Sequence, residues 1–293
     1  MNNGAEMHIE ELNTEPHNAV RSVDRVTTFG FQKEEVRTHY DAMSLWYRLF
    51  WGDHLHHGWF INGEESPKLA QVEMLQRCAS MVGMRPGARV LDVGCGYGGT
   101  SVYLAAEFGC HVVGLSLSSR QLRVARRKAR SANLDPLVSF HLQDAEAFDY
   151  LPSQYDFVWT MESSEHFVDK AEYFRRVHRT LRSDGRLLLA AWTGSMAHSR
   201  VRTVAQHFVC PQLWTAGEYL DTIQACGMQV EDVLDATSFV IPTWYICLRR
   251  IERFRKLRAF FPQEALSLAD GIPVILDAYR SGELNYTLLT ARR

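Results

Sequence analysis

The stretch Val90-Leu-Asp-Val-Gly-Cys-Gly-Tyr-Gly-Gly99 carries the strongest chemical signal in this sequence. Glycines that follow an apolar run let backbone N–H groups approach a ligand closely, because no side chain stands in the way. Gly94, Gly96 and Gly99 satisfy the spacing G-x-G-x-x-G, so a nicotinamide dinucleotide has to be weighed. Such a site places an acid about 20 residues beyond the loop to hold the ribose. Here that region reads Gly114-Leu-Ser-Leu-Ser118, without an acid. Asp92 precedes the first glycine, where an anion sits poorly beside a pyrophosphate but well beside an amine. A ligand with a cationic amino group fits better.

S-adenosylmethionine has that amine, together with a methyl group activated by a positive sulfur. For such a donor, alignment of the acceptor supplies much of the rate, and a base is useful only if the acceptor must lose a proton. Glu162, Glu165 and His166 follow the apolar run Phe157–Met161, at the strand end where open parallel sheets bind ligands. His166 is the preferred base, with Glu165 orienting it or facing the substrate. The plainer alternative is that Glu165 and His166 cap the next helix. His54, His56 and His57 invite a metal reading, but no carboxylate set accompanies them and no metal is expected.

The hydrophobic rhythm supplies the elements that must position these groups. Arg89–Val93, His111–Leu117, Val138–Leu142, Phe157–Met161 and Arg186–Ala191 are short apolar runs. Helical segments Thr100–Phe108, Ser119–Ala132 and Lys170–Leu181 alternate with them. This alternation predicts an α/β fold with a doubly wound, mostly parallel sheet. The polar link between the third and fourth runs is the weakest crossover. Upstream, Val36, Tyr40, Met43 and Tyr47 recur at helical spacing within Gln32–Trp51. Ser66 and Pro67 open another helix, with a stripe through Leu69, Val72, Leu75 and Val82. Downstream, Thr215-Ala-Gly-Glu218 reads as a capping box. Gln229–Val233 and Tyr286–Thr290 read as an antiparallel pair at the sheet edge, with a helical insertion, Trp244–Phe261, before the last strand.

With 293 residues, 46% hydrophobic and 23% charged, the composition is that of a globular protein, not a disordered or collagen-like chain. A net charge of −2 gives no general pull toward nucleic acid or anionic membrane. Arg120, Arg123, Arg127 and Arg130 are accordingly read as a solvated helix face. The apolar runs Leu187–Ser199 and Ala236–Leu248 fall short of the roughly 18–20 residues of a membrane span. Met1–Pro16 lacks the apolar stretch of a secretory signal. Six cysteines without a C-x-x-C pair suggest free thiols, so a cytoplasmic protein is expected.

Val90–Gly99 resembles the first motif of class I S-adenosylmethionine-dependent methyltransferases. Gly114-Leu-Ser-Leu-Ser-Ser-Arg-Gln121 resembles the second-strand signature of their small-molecule branch. That branch includes tocopherol C-methyltransferases, natural-product methyltransferases and cyclopropane synthases. Gln143-Asp-Ala-Glu146 occupies the adenine-binding position, and Met161-Glu-Ser-Ser-Glu-His166 resembles the end of the fourth strand. Tyr40-Asp41 and Trp51-Gly-Asp-His-Leu-His-His-Gly-Trp59 are similar to tocopherol-type enzymes. The resemblance implies a Rossmann-like fold with S-adenosylmethionine as cofactor. After a mobile tail (1–25), one domain (26–293) would comprise a helical lid segment (26–84), a cofactor-binding core (85–192) and substrate-side elements with edge strands (193–293).

Site roles follow from the same resemblance. Asp92, Gly94 and Gly96 would hold the methionine end, Ser116, Leu117 and Gln121 the ribose and the adenine edge, and Asp144 and Ala145 the adenine. Tyr40 would close over the cofactor, while His57, Trp59 and Glu162 face the substrate. A small lipophilic or aromatic acceptor, methylated on carbon or oxygen, is implied. N-methylation of a small amine, cyclopropanation of lipid acyl chains and a non-catalytic cofactor-binding module are the alternatives. Cyclopropane synthases usually carry Tyr-Ser-Cys where this chain has His56-His57-Gly58, which disfavours cyclopropanation. A homo-oligomer is left open.

Overall fold

The computed structural model describes Phe29, residues 35–38, Asp41, residues 55–253, Phe261 and residues 263–293. The tail expected over residues 1–25, Tyr40, His54 and most of the helix expected over Gln32–Trp51 lie outside the described residues.

Five strands, β1 (Arg89–Val93), β2 (His111–Ser116), β3 (Val138–Leu142), β4 (Tyr155–Met161) and β5 (Leu181–Gly194), run parallel in the order β3-β2-β1-β4-β5. Two more, β6 (Gln229–Asp235) and β7 (Leu284–Arg292), complete the sheet in the order β5-β7-β6. β7 is antiparallel to both neighbours. The late strands form the expected antiparallel pair at this edge of the sheet, with β7 beside β5 and β6 outermost. Every residue of β4 is buried, as its unbroken apolar run requires of a central strand covered on both faces.

Side chains alternate between two cores. Leu188 and Ala190 of β5 join one cluster, while Leu187 and Leu189 join the other. The first is covered by α1 (Pro67–Met81), α2 (Gly99–Phe108), α3 (Ser119–Ser131), α5 (Ser199–His207), α8 (Pro242–Arg253) and α9 (Gln263–Arg280). The second is covered by α4 (Lys170–Thr180) and α6 (Ala216–Ala225). The short α7 (Thr237–Val240) links β6 to α8.

Ser66 caps α1 as expected, its hydroxyl accepting from Leu69 N–H. The buried stripe of α1 differs from the expected one, however: it runs through Ala70, Met74, Leu75, Cys78 and Ala79 and leaves Leu69 65% exposed. Thr215 and Glu218 form the full reciprocal capping box that opens α6. β5 is longer than its apolar core, because pairing with β4 and β7 extends it through polar residues. No helix occurs between β3 and β4, in keeping with the polar link there.

α5 and α9 were not expected. Gly271 and Pro273 inside α9 disguise it as a loop. Gly271 has a packing reason: a Cβ there would lie 2.8 Å from His207 Cβ, so the glycine lets α9 press closely against α5. Among the described residues, no helix is long and apolar enough to cross a membrane.

The chain passes outward from β1 to β3, then returns across β1 to β4. The carboxyl ends of β1 and β4 therefore diverge around a crevice, the place where ligands enter an open α/β sheet.

Candidate active site

That crevice is a cavity lined by Asp92, Gly94 and Gly96 after β1, and by Ser116, Leu117 and Gln121 after β2. Asp144 and Ala145 line it after β3, and Glu162, Glu165 and His166 after β4. The turn after β1 is pinned by Gly94 N–H and Cys95 N–H, which both donate to Leu115 C=O, at 3.0 and 2.8 Å. Gly94 has φ +79°, and a Cβ on it would stand 2.4 Å from Ser163 Cβ. Ser163 is itself fixed, its hydroxyl donating to Val93 C=O at 2.8 Å.

Asp92 is 3% exposed and accepts the Ser101 hydroxyl at 2.5 Å. Burial pushes its carboxyl up to about 7 against the hydrogen bonds from Ser101. A bound cation would return it to the ionised form, so the site fits an amine. On the next strand, the Ser116 hydroxyl donates to Gln121 Oε1 at 3.0 Å. Ser118 caps α3 by accepting Gln121 N–H, and its hydroxyl donates to the Asp41 carboxylate. Asp144 lines the cavity and is also a turn residue, its Oδ1 accepting Glu146 N–H at 2.9 Å.

Glu162 lies at the centre of a buried network and has a left-handed φ of +49°. Its Oε1 accepts from His57 N–H and from the Tyr286 hydroxyl, both at 2.7 Å. Its Oε2 lies 2.9 Å from His57 Nδ1. Trp244 Nε1 donates to His57 Nε2 at 2.6 Å. An indole nitrogen can only donate, so His57 is assigned the tautomer with its proton on Nδ1, facing Glu162. Burial pushes the Glu162 carboxyl up, but the His57 ring and its hydrogen bonds outweigh this and hold it below its ordinary value.

Glu165 is 2% exposed, and burial raises its carboxyl to about 7 while Oε1 accepts Trp192 N–H at 2.8 Å. His166 Nδ1 lies 3.1 Å from Val209 C=O. A carbonyl can only accept, so the proton of the neutral ring sits on Nδ1 and Nε2 keeps the basic lone pair. The far wall of the cavity is Met161, Phe167, Trp192, Phe208, Cys210 and Trp244.

Residues 29–245 match the family described as mycolic acid cyclopropane synthetase. Over 272 residues the chain is 31% identical to 27-O-demethylrifamycin SV methyltransferase of Amycolatopsis mediterranei, covering 88% of this chain and 97% of the relative. The chain belongs to this family, and it is an S-adenosylmethionine-dependent methyltransferase. It is also 26% identical to chloroplastic tocopherol O-methyltransferase of Arabidopsis thaliana, covering 91% of this chain and 84% of that one. The cyclopropane synthase MmaA2 from Mycobacterium tuberculosis shares the fold, with a TM-score of 0.80 at 21% identity, covering 91% of this chain and 99% of that one.

The methyltransferase departs from its expected site in two places. Trp59 does not line the cavity; it stacks on Phe239 with ring centroids 4.0 Å apart, under the Arg77 guanidinium. His57 stands behind Glu162 rather than in the cavity, held there by Trp244. The sequence reading also missed the aromatic wall and its support. Lys170, 1% exposed, donates from Nζ to Phe167 C=O at 2.8 Å and to Gln212 C=O at 2.9 Å. It thereby ties α4 to the segment that carries Phe208 and Cys210. Trp244 lay in a segment recognised only as aromatic and basic, and the type of Lys170 gave no hint of burial.

The methyltransferase should tolerate no side chain at Gly94. In Gly94→Ala, both the left-handed φ and the contact with Ser163 oppose the new methyl group. Calorimetry should show cofactor affinity reduced at least tenfold; wild-type affinity would show that the turn is free to move.

Proposed function

We propose that the protein transfers the methyl group of S-adenosylmethionine to a hydroxyl oxygen of a small lipophilic or aromatic metabolite in the cytoplasm. The observation that carries this reading is the presence, in one cavity, of the buried Glu165 and the half-buried His166 together with an aromatic wall. A hydroxyl must lose its proton on methylation, and a histidine with its lone pair on Nε2 can take it. The aromatic wall offers apolar surface to a ring or prenyl chain. Two relatives are named for O-methylation, one of a rifamycin and one of tocopherol. The six cysteines are free, which suits a reducing compartment.

Asp92 would meet the amine of the cofactor, with the backbone around Gly94 and Gly96 beside it. Ser116 and Gln121 would take the ribose, and Asp144 and Ala145 the adenine. When bound, the cofactor supplies an electrophilic methyl group on a positive sulfur. The protein's part is to hold the acceptor in line, exclude water through Phe208, Trp192 and Trp244, and receive the hydroxyl proton at His166 Nε2. Glu165, hydrogen-bonded to Trp192 N–H, fixes the adjoining wall.

The test is incubation with isotopically labelled donor and a panel of phenols, prenylated hydroquinones and macrocyclic alcohols, read by mass spectrometry. Label is expected in a hydroxyl-bearing acceptor. Gain of CH2 in lipid acyl chains, with no labelled ether, would instead establish cyclopropanation. His166→Ala should lower kcat by roughly 10²–10⁴-fold and leave cofactor affinity unchanged. An unchanged kcat would remove His166 from the proton path.

A further inference from the structure

Lys170 is a buried cation without a local reason. It takes the first position of α4, where the helix dipole disfavours positive charge, and only 1% of it is exposed. Its Nζ reaches outward instead, to Phe167 C=O at 2.8 Å and Gln212 C=O at 2.9 Å. One acceptor adjoins the turn Ser164–His166, and the other lies in the segment that follows α5. The two segments meet a second time where His166 Nδ1 donates to Val209 C=O at 3.1 Å.

Val209 is a strained residue. α5 ends in a Schellman turn, with Cys210 N–H donating to Ala205 C=O at 2.8 Å and Val209 N–H to Gln206 C=O at 3.3 Å. The turn needs one left-handed residue, normally glycine, and here a valine supplies it with φ +54°. A β-branched side chain is costly in that conformation. Val209 is half-buried and packs on neither core, so core packing does not hold the turn. Farther along, Pro211 C=O accepts Phe29 N–H at 3.0 Å and Trp214 C=O accepts Gly194 N–H at 2.9 Å. Between these backbone holds, Lys170 binds Gln212 and joins the segment to the turn that carries His166.

We propose that Lys170 is a positioning residue for the base: it keeps the strained turn at Val209 closed, so that the Val209 carbonyl stays on His166 Nδ1 and the lone pair stays on Nε2. This deepens the reading of His166 as proton acceptor and rests on it. Relaxing Val209 to an extended backbone would turn its carbonyl away and break the Schellman turn. His166 would then lose the acceptor that fixes its tautomer. Phe208 and Cys210, which flank Val209 and line the cavity, would shift with it. The bond from Lys170 to Gln212 opposes that relaxation from the buried side.

The experiment uses full-length protein labelled with nitrogen-15 in its histidines and saturated with S-adenosylhomocysteine. Long-range proton–nitrogen NMR at pH 8 reads the tautomer of each ring, and the His166 signals are assigned by their absence in His166→Gln. Wild type should show His166 protonated on Nδ1 alone. Lys170→Met should turn this single pattern into a mixture of tautomers, and adding Val209→Gly should restore it, because glycine closes the turn without strain. Val209→Gly alone should keep the pattern and raise Tm by roughly 2–4 °C. A merely structural lysine would lower Tm with the His166 pattern intact, or lose the pattern in a way Val209→Gly does not recover. Either result would overturn the proposal. So would a wild-type His166 protonated on Nε2, or a Val209→Gly protein that melts lower than wild type. Those last two measurements need no Lys170 variant, so they decide the outcome if Lys170→Met does not fold. None of the readouts uses turnover, and the proposed transfer reaction fails separately, in the labelled-donor screen.

Discussion

Glu162→Gln will destabilise the protein almost as much as Glu162→Ala, although glutamine keeps the shape and one oxygen acceptor. The reason lies in the fixed tautomer of His57. Trp244 Nε1–H occupies His57 Nε2, so the proton sits on Nδ1 and must find an acceptor at Glu162 Oε2. Glutamine can satisfy His57 N–H and the Tyr286 hydroxyl with its oxygen, but its amide N–H2 then meets the Nδ1 proton. Moving that proton to Nε2 only transfers the clash to Trp244. Removing one partner from such a buried set costs about 3–5 kcal/mol, a large share of a typical stability of about 5–15 kcal/mol.

Thermal unfolding should show both variants melting on the order of 10 °C lower than wild type. Trp244→Phe removes the indole donor and lets the His57 proton move to Nε2. Added to Glu162→Gln, it should restore part of the loss, so the two changes should be clearly non-additive. Additive losses would show that the tautomer is not locked. Since the Glu162 carboxyl is held below its ordinary value, its contribution is complete above the usual carboxylate range and is lost as pH falls through that range and below.

Asp92→Asn should have the opposite pH signature and the largest effect on the cofactor. A carboxyl held at about 7 rather than 3.8 burdens the cofactor-free fold by about 4 kcal/mol once it ionises. The folded form binds this proton more tightly than the unfolded chain does. Stability is therefore greatest below 3.8 and declines as pH rises toward about 7. Cofactor-free Asp92→Asn should melt above wild type at pH 8, with the gap closing as the pH falls toward 4. Cofactor affinity should move the other way. Loss of one member of a buried, hydrogen-bonded charge pair costs about 2–5 kcal/mol, or roughly thirty-fold to several thousand-fold in Kd. In wild type, affinity should rise with pH and level off above about pH 7, as Asp92 no longer has a proton to release. Calorimetry at pH 6 and pH 8 checks both statements. Equal affinities in wild type and variant would place the cofactor amine elsewhere.

The strand frame was legible because it rests on local signals. Arg89–Val93 and Val138–Leu142 were expected with the bounds they have, each an apolar run stopped by turn residues. Thr215 and Glu218 announced their capping box through a spacing that only local backbone geometry decides. The cavity floor was legible for the same reason: Asp92, Gly94, Ser116, Asp144 and Glu165 all stand at or just beyond the ends of strands.

What was hidden depends on distant contacts. Nothing around Gly271 and Pro273 shows that α5 waits to receive a close-packed helix. Trp59 and Trp244 have the same side chain, and only tertiary packing sends one under Arg77 and the other to His57 Nε2. Lys170 looks like an ordinary first-turn residue until the segment at Gln212 folds over it.

The insertion of β7 between β5 and β6 also bears on how the protein is made. The ribosome delivers β5 and β6 before β7, yet neither can complete its hydrogen bonding on this side until β7 arrives. During synthesis the long rim of β5 is an open template, exposed to pairing with another nascent chain. Expression yield should accordingly hinge on the last stretch of the sheet being translated promptly, and on chaperones that shield β5 until then.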